Sequence, residues 1–182
     1  EKESVYLSYP SGASNGTSAK ITANLSNTAA VKYNEPDDAA IPPRNFSYYL
    51  FVFKDAIEYE HSNQGKGAPG EKHAPSSHGP GNKINLNSNS SFNLFGRDKK
   101  FATVLLNHES CSNQHAAIQF RKILVDADNY VTRPYLIDLD STNNTFLNDK
   151  IIPASRFIEL KNKDIINFGD LPDDYVYITD LM

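Results

Sequence analysis

The sequence predicts an all-β fold, an antiparallel β-sandwich, on three observations. From Phe92 onward, short runs of alternating apolar and polar residues recur, with turn signals about every ten residues, the spacing of sandwich strands. Ser47 to Lys54 adds an aromatic and β-branched run of strand composition. No stretch carries the 3.6-residue period of a long amphipathic helix.

Taken in chain order, residues 1–45 are rich in Ser, Asn, Ala and Thr, lack a helical or strand period and end at Pro42-Pro43. They read as an extended tail. Val5, Tyr6, Leu7 and Tyr9 form an apolar cluster within it, fit either for docking a partner or for pairing as a strand with the domain edge. Residues 46–182 read as the folded domain. Ser-Tyr-Tyr-Leu-Phe-Val-Phe-Lys over 47–54 crowds large side chains on both faces and predicts a strand covered on both sides. Residues about 60–91 turn to Gly, Ser, Asn, Pro and His, too long a run for an ordinary connection, and read as a flexible insertion between strands.

The later elements follow one another closely. Phe92-Asn93-Leu94-Phe95 stops at Gly96, and Ala102 to Leu106 is an apolar run. In His115 to Lys122, Ala116, Ile118 and Phe120 alternate with Ala117, Gln119 and Arg121. Tyr135, Ile137 and Leu139 alternate with Leu136, Asp138 and Asp140, and short runs at 157–160, 164–168 and 175–179 complete the series.

Composition narrows the function. The chain has 182 residues, 39% hydrophobic and 22% charged, with a formal net charge of -4. Binding nucleic acid through bulk charge calls for a basic protein. The single cysteine, Cys111, excludes an intramolecular disulfide and a four-cysteine zinc site, and this usage suits a reducing compartment. No apolar run approaches the roughly 20 residues that span a bilayer.

Three groups of polar residues fall at strand ends: Gly96-Arg97, then Ser112-Asn113-Gln114-His115, then Ser141-Thr142-Asn143-Asn144-Thr145-Phe146. Loops at one end of a sandwich converge, so a guanidinium, hydroxyls and an amide can surround one anion. Phosphothreonine fits that set. It carries about -1.5 to -2 charges at pH 7 and three acceptor oxygens, and arginine offers a planar fork of donors matched to them. Each group alone has a plainer reading. Gly-Arg after a strand is commonly a turn with a solvated charge, Ser-Thr-Asn-Asn is commonly a turn, and His115 reads first as a buried core histidine that pins the loop presenting Ser112.

In this order, Gly96-Arg97, Ser112-x-x-His115 and Asp140-Ser-Thr-Asn-Asn-Thr-Phe-Leu-Asn148 resemble the signature of the forkhead-associated (FHA) domain, and Leu160 to Gly169 resembles its closing strands. The resemblance implies an eleven-stranded sandwich whose loops bind phosphothreonine peptides. By position, it implies that Arg97 and Ser112 bind phosphate, that Asn113 and Thr142 assist, and that Asn143 holds the peptide backbone. Gly96, His115 and Asn144 would support the loops. Asn144 stands where the family carries glycine, and asparagine is the next best residue for a positive φ.

A narrower resemblance covers about residues 29–54 and 92–180. Cys111 to Arg121, Arg133 to Asp138, Arg156 to Leu160, and upstream Val31 to Pro36 with Ile41-Pro42 are similar to the Smad nuclear-interacting and pre-mRNA leakage protein family. This implies a nuclear subunit of the spliceosomal retention and splicing complex. It also implies that the tail, within about Val5 to Asn27, docks onto an RNA-recognition-motif subunit, with Tyr9-Pro10-Ser11-Gly12 similar to the docking segment.

Other function classes find less in the residues. Cys111 and His115 have the spacing of a nucleophile and base, but belong to the loop already assigned, so no enzyme is predicted. His61, His73 and His78 are irregularly spaced in the insertion and predict no metal site; no cofactor is implied. Arg97, Lys99 and Lys100, and Arg121 with Lys122, are local basic clusters, but the nearby Phe101 and Phe120 fit core positions, so RNA contact would be indirect. The alternative is a scaffold that binds no phosphate and assembles through its tail; a scaffold has no need of Arg97.

Overall fold

The computed structural model describes residues 33–54, 82–86 and 89–181. The apolar cluster Val5–Tyr9, the docking region Val5–Asn27 and the loop histidines 61, 73 and 78 lie outside them. Eleven strands form in the described residues and no helix. They are β1 (Phe46–Phe53), β2 (Lys83–Asn85), β3 (Phe92–Gly96), β4 (Val104–Leu105), β5 (Ala116–Leu124) and β6 (Tyr130–Asp138), then β7 (Thr145–Leu147), β8 (Lys150–Ile151), β9 (Ile158–Glu159), β10 (Ile165–Phe168) and β11 (Asp174–Leu181).

The strands make two sheets, ordered β2-β1-β11-β10-β7-β8 and β4-β3-β5-β6-β9. Pairing is antiparallel except between β3 and β4, where Phe95 lies beside Val104 in parallel. The predicted sandwich is therefore present, with one parallel pair at the edge of the five-stranded sheet. The alternation read in β5 explains the layers. Ala116, Ile118 and Phe120 face the other sheet and join Tyr48, Leu50, Phe95, Leu136, Ile166, Phe168, Tyr175 and Tyr177 in the main core. Ala117 faces outward, into a smaller cluster with Leu94, Ile137 and Tyr33.

That outer cluster corrects the boundary drawn at residue 45. Tyr33 is buried, and Ala39 forms an antiparallel bridge with Arg121. The Ala40 N–H donates to the Phe120 carbonyl at 3.0 Å and the Lys122 N–H to the Asp38 carbonyl at 2.7 Å. Residues 33–40 are thus a strap over the five-stranded sheet, hydrogen-bonded to β5 beyond the point where β3 leaves it. Asp38 clamps Arg121 with two bonds of 2.9 and 2.7 Å, and the guanidinium lies over the rings of Phe157 and Tyr135.

Two further expectations change. The insertion read over 60–91 contains β2, which pairs with β1 through Leu50 and Ile84, and Leu86 is fully buried. The run 47–54 is buried on one face through Tyr48, Leu50 and Val52, while Tyr49 and Phe51 are half-buried and Phe53 is exposed, so its second face is only partly covered. β7 and β8 form a hairpin in which Leu147 pairs with Lys150. Its two central residues, Asn148 and Asp149, have φ of 51° and 64°, the form that matches strand twist.

Candidate phosphate-binding site

Three chain turns meet at one end of the sandwich: residues 96–98 after β3, 108–115 before β5, and 139–145 between β6 and β7. Backbone bonds join the first two. The Arg97 N–H donates to the Ser112 carbonyl at 3.0 Å, and the Asp98 N–H to the Asn113 carbonyl at 3.2 Å. Gly96 permits this approach. A Cβ there would lie 2.0 Å from the Asn113 carbonyl oxygen, a distance no side chain can occupy.

His115 joins the second turn to the third. It is fully buried at the root of β5. Its Nδ1 accepts the Ser112 N–H at 3.1 Å, so the ring proton sits on Nε2, which donates to the Asn144 carbonyl at 2.9 Å. Burial lowers the His115 pKa below its ordinary value, against opposing pulls from the Asn144 carbonyl and Asp138. A neutral imidazole is what these two bonds need, since a protonated Nδ1 cannot accept.

The third turn is shaped by Asp138, itself buried at the end of β6. Its carboxylate accepts the Ser141 N–H at 3.0 Å and the hydroxyls of Ser141 and Thr145, each at 2.6 Å. Asn144 adopts φ 65°, the left-handed conformation for which asparagine is suited. The Thr142 N–H donates to Ser112 Oγ at 3.2 Å. Accepting that bond leaves the Ser112 hydroxyl proton for an outside acceptor.

The structure brings all the predicted residues together. Gly96 and His115 are buried beneath the loops, Asn144 is exposed and supports them through its backbone carbonyl, Arg97, Asn113 and Thr142 are exposed, and Ser112 and Asn143 are half-buried. Arg97 is exposed, and its Nη1 donates to the Glu109 carbonyl at the long distance of 3.4 Å. Asn143 is partly used within the protein, because its Nδ2 donates to the Ser110 carbonyl at 2.8 Å. Its Oδ1 and second N–H are not engaged by that bond.

Sequence reasoning missed two supporting residues. Ser110 is a junction: its hydroxyl accepts the Asp170 N–H at 2.9 Å and lies 2.7 Å from His108 Nδ1, while its carbonyl holds Asn143. Nothing local in the sequence marks such a serine. Asp138 did carry a signal, an aspartate three residues before Ser141 at a strand end, the spacing of a side chain that closes a turn. Cys111, buried beside Ser112, has its thiol pKa pushed up by desolvation, the opposite of what a nucleophile needs. Among the described residues, no three His, Cys, Asp or Glu side chains gather as metal ligands.

Comparison with known proteins identifies the domain and its relatives. The model of the FHA domain matches residues 93–169. Smad nuclear-interacting protein 1 of Mus musculus is 33% identical over 152 residues, which are 81% of this chain and 33% of that protein. The chain thus spans about a third of that relative's length. Pre-mRNA leakage protein 1 of Saccharomyces cerevisiae is 27% identical over 172 residues, covering 87% of this chain and 78% of that protein. The solved structure of the yeast Pml1 splicing factor, described together with its integration into the RES complex, aligns at a TM-score of 0.63 with 25% identity, covering 84% of this chain and all of that one.

Proposed function

Because this chain carries an FHA domain and is homologous to Smad nuclear-interacting protein 1 and yeast pre-mRNA leakage protein 1, we propose that it is a phosphothreonine-peptide reader of a nuclear pre-mRNA splicing and retention complex. The observation that carries this reading is the junction of Arg97 and Ser112. One residue's backbone N–H is bonded to the other's carbonyl, so the guanidinium and the hydroxyl leave the same point of the surface. In the proposed complex Arg97 exchanges its long bond to Glu109 for a paired contact to phosphate oxygens. Ser112 donates its free proton to a third oxygen. Asn113 and Thr142 supply further donors, and the remaining amide groups of Asn143 hold the peptide backbone next to the phosphothreonine.

In this reading the protein is a binding module and not an enzyme. Its tail, within Val5–Asn27, docks onto an RNA-recognition-motif subunit, and RNA is met only through such partners. The test is fluorescence anisotropy with a phosphothreonine peptide library, unphosphorylated twins and an Arg97→Ala variant. Loss of one charged, paired hydrogen-bond donor should weaken binding at least tenfold, on the order of 1.5–3 kcal/mol. Equal binding of phosphorylated and plain peptides, or none of either, would reject the reader and leave a scaffold that works through its tail.

A further inference from the structure

The basic cluster Arg97, Lys99 and Lys100 stands on the first of the three turns, and the turn is held by groups other than its lysine side chains. Asp98 Oδ1 accepts the Lys100 N–H at 2.9 Å, and the Asp98 carbonyl accepts the N–H groups of Phe101 and Ala102 at 3.1 and 2.9 Å. Further on, the Thr103 N–H donates to the Leu94 carbonyl at 2.9 Å, and Thr103 Oγ1 accepts the Leu94 N–H at 2.7 Å. Phe101 packs into the outer cluster, which also holds the edge-on pair of Tyr33 and Phe92. Lys99 and Lys100 are both exposed. Among the described residues the ion pairs are Arg121–Asp38, Arg133–Glu159 and Lys161–Glu159, so neither lysine has a carboxylate partner. They follow Arg97 by two and three residues, so at most about 7 and 11 Å of chain separate them from it. The neighbouring turns carry carboxylates instead: exposed Glu109 and Asp140, and exposed Asp170, whose N–H is bonded to Ser110. The rim of the site thus has a basic side and an acidic side, in a chain of net charge -4.

We propose that Lys99 and Lys100 select the ligand: the phosphothreonine peptide taken by the Arg97–Ser112 site carries aspartate or glutamate on the flank that lies over turn 97–101. This rests on the phosphothreonine reading of that site and adds its sequence preference. With Arg97 on the phosphate, two ammonium groups remain for anions of the flank. An ammonium is a point charge on a flexible stem, so it meets a carboxylate at more than one spacing. The net charge of the chain repels an acidic peptide, so a preference for one has to come from this local field. A basic flank would meet like charge here, and a neutral one would leave both lysines solvated. Exposed pairs are individually weak, so two of them set a preference of roughly three- to thirtyfold.

The experiment measures anisotropy of the full chain with phosphothreonine peptide libraries whose flanks are fixed: glutamine on both sides, glutamate before the phosphothreonine, or glutamate after it. Unphosphorylated twins of each are included. At low salt at least one glutamate library should bind at least threefold more tightly than the glutamine library, and the ratio should shrink as salt is raised. In a chain carrying Lys99→Glu and Lys100→Glu the ratio should fall below one, and lysine in place of glutamate on that flank should become the preferred form. Equal affinity for all phosphorylated libraries overturns the inference and leaves the reader intact. A glutamate preference that survives both substitutions also overturns it, since the selecting charge then lies elsewhere. Glutamate libraries that bind as well without phosphate, or no binding by any library, reject the reader and the inference together.

Discussion

His115 Nδ1 accepts the backbone N–H of Ser112 at 3.1 Å, and through Nε2 the same ring holds the Asn144 carbonyl. One buried imidazole thus fixes the spacing between the loop that presents Ser112 and the loop that presents Thr142 and Asn143. Its ring also packs edge-on against Phe168 in the core, so the site is registered to the sandwich.

The first prediction follows from its charge. Burial lowers the His115 pKa in the folded protein below the unfolded value of 6.5. Between those two values the unfolded chain binds a proton that the folded chain refuses. The stabilising contribution is therefore complete above pH 6.5 and declines as pH falls through the window below it, levelling off under the folded value. Urea denaturation from pH 7.5 to 4.5 should show this slope, and His115→Ala should remove it. The same variant should cost about 2–4 kcal/mol, through a cavity and the loss of two buried bonds. A slope identical in both proteins would assign it to other groups.

Gly96 sets a steric requirement. Gly96→Ala drives a methyl group into the Asn113 carbonyl, and both partners are backbone. The loops must part, so the bonds from Arg97 to Ser112 and from Asp98 to Asn113 break first. The expected cost is about 1–3 kcal/mol, the scale of overpacking. Hydrogen exchange should accelerate at the Arg97 and Asp98 amides more than at β1 or β11. Unchanged protection there would show that the junction tolerates the displacement.

How legible the molecule was depended on how far apart its partners lie in sequence. β5 was readable because Ala116, Ile118 and Phe120 repeat with the strand period themselves. β7 and β8 were not, because three- and two-residue strands are too short to show a period, and Asn148-Asp149 merged with the polar run before them. The strap looked like a tail because residues 1–45 are rich in Ser, Asn, Ala and Thr, show no strand period and close at Pro42-Pro43. Its order comes from Gln119 and Arg121, residues more than eighty positions away. At the site, Arg97, Ser112 and Asn143 were legible through their order and resemblance. Ser110 was not, since its role comes from Asp170 and Asn143, which meet it only in the fold.

Asn144 tests the one departure from the family pattern. At φ 65° a β-carbon is strained, and asparagine bears that strain better than other side chains. Asn144→Gly should therefore shift stability by no more than about 0.5 kcal/mol, because relief of strain offsets added freedom in the unfolded chain. Asn144→Ala should cost about 1–2 kcal/mol. Denaturant midpoints compare them directly, and equal losses in both would show that the side chain, not the backbone angle, governs this position.

The strap makes the last prediction, and its polar groups make it sharp. Gln119 is fully buried, and both ends of its amide are engaged: Oε1 by the Tyr33 hydroxyl, and Nε2 by Glu35 and by the carbonyls of Ser91 and Phe120. Tyr33→Phe keeps the ring against Phe92 but strands a buried acceptor, which costs about 1–3 kcal/mol. Asp38→Ala removes the paired contact to Arg121 but leaves that guanidinium over Phe157 and Tyr135, so a loss nearer 1 kcal/mol is expected for a partly exposed pair. Both changes should expose the Ala40 and Lys122 amides, whose bonds tie strap to β5, to faster hydrogen exchange. They should leave the Ile118 and Leu136 amides, between β5 and its neighbours in the sheet, almost unaffected. If exchange instead rises throughout the five-stranded sheet, the strap is integral to the fold, and the domain has no stable form without it.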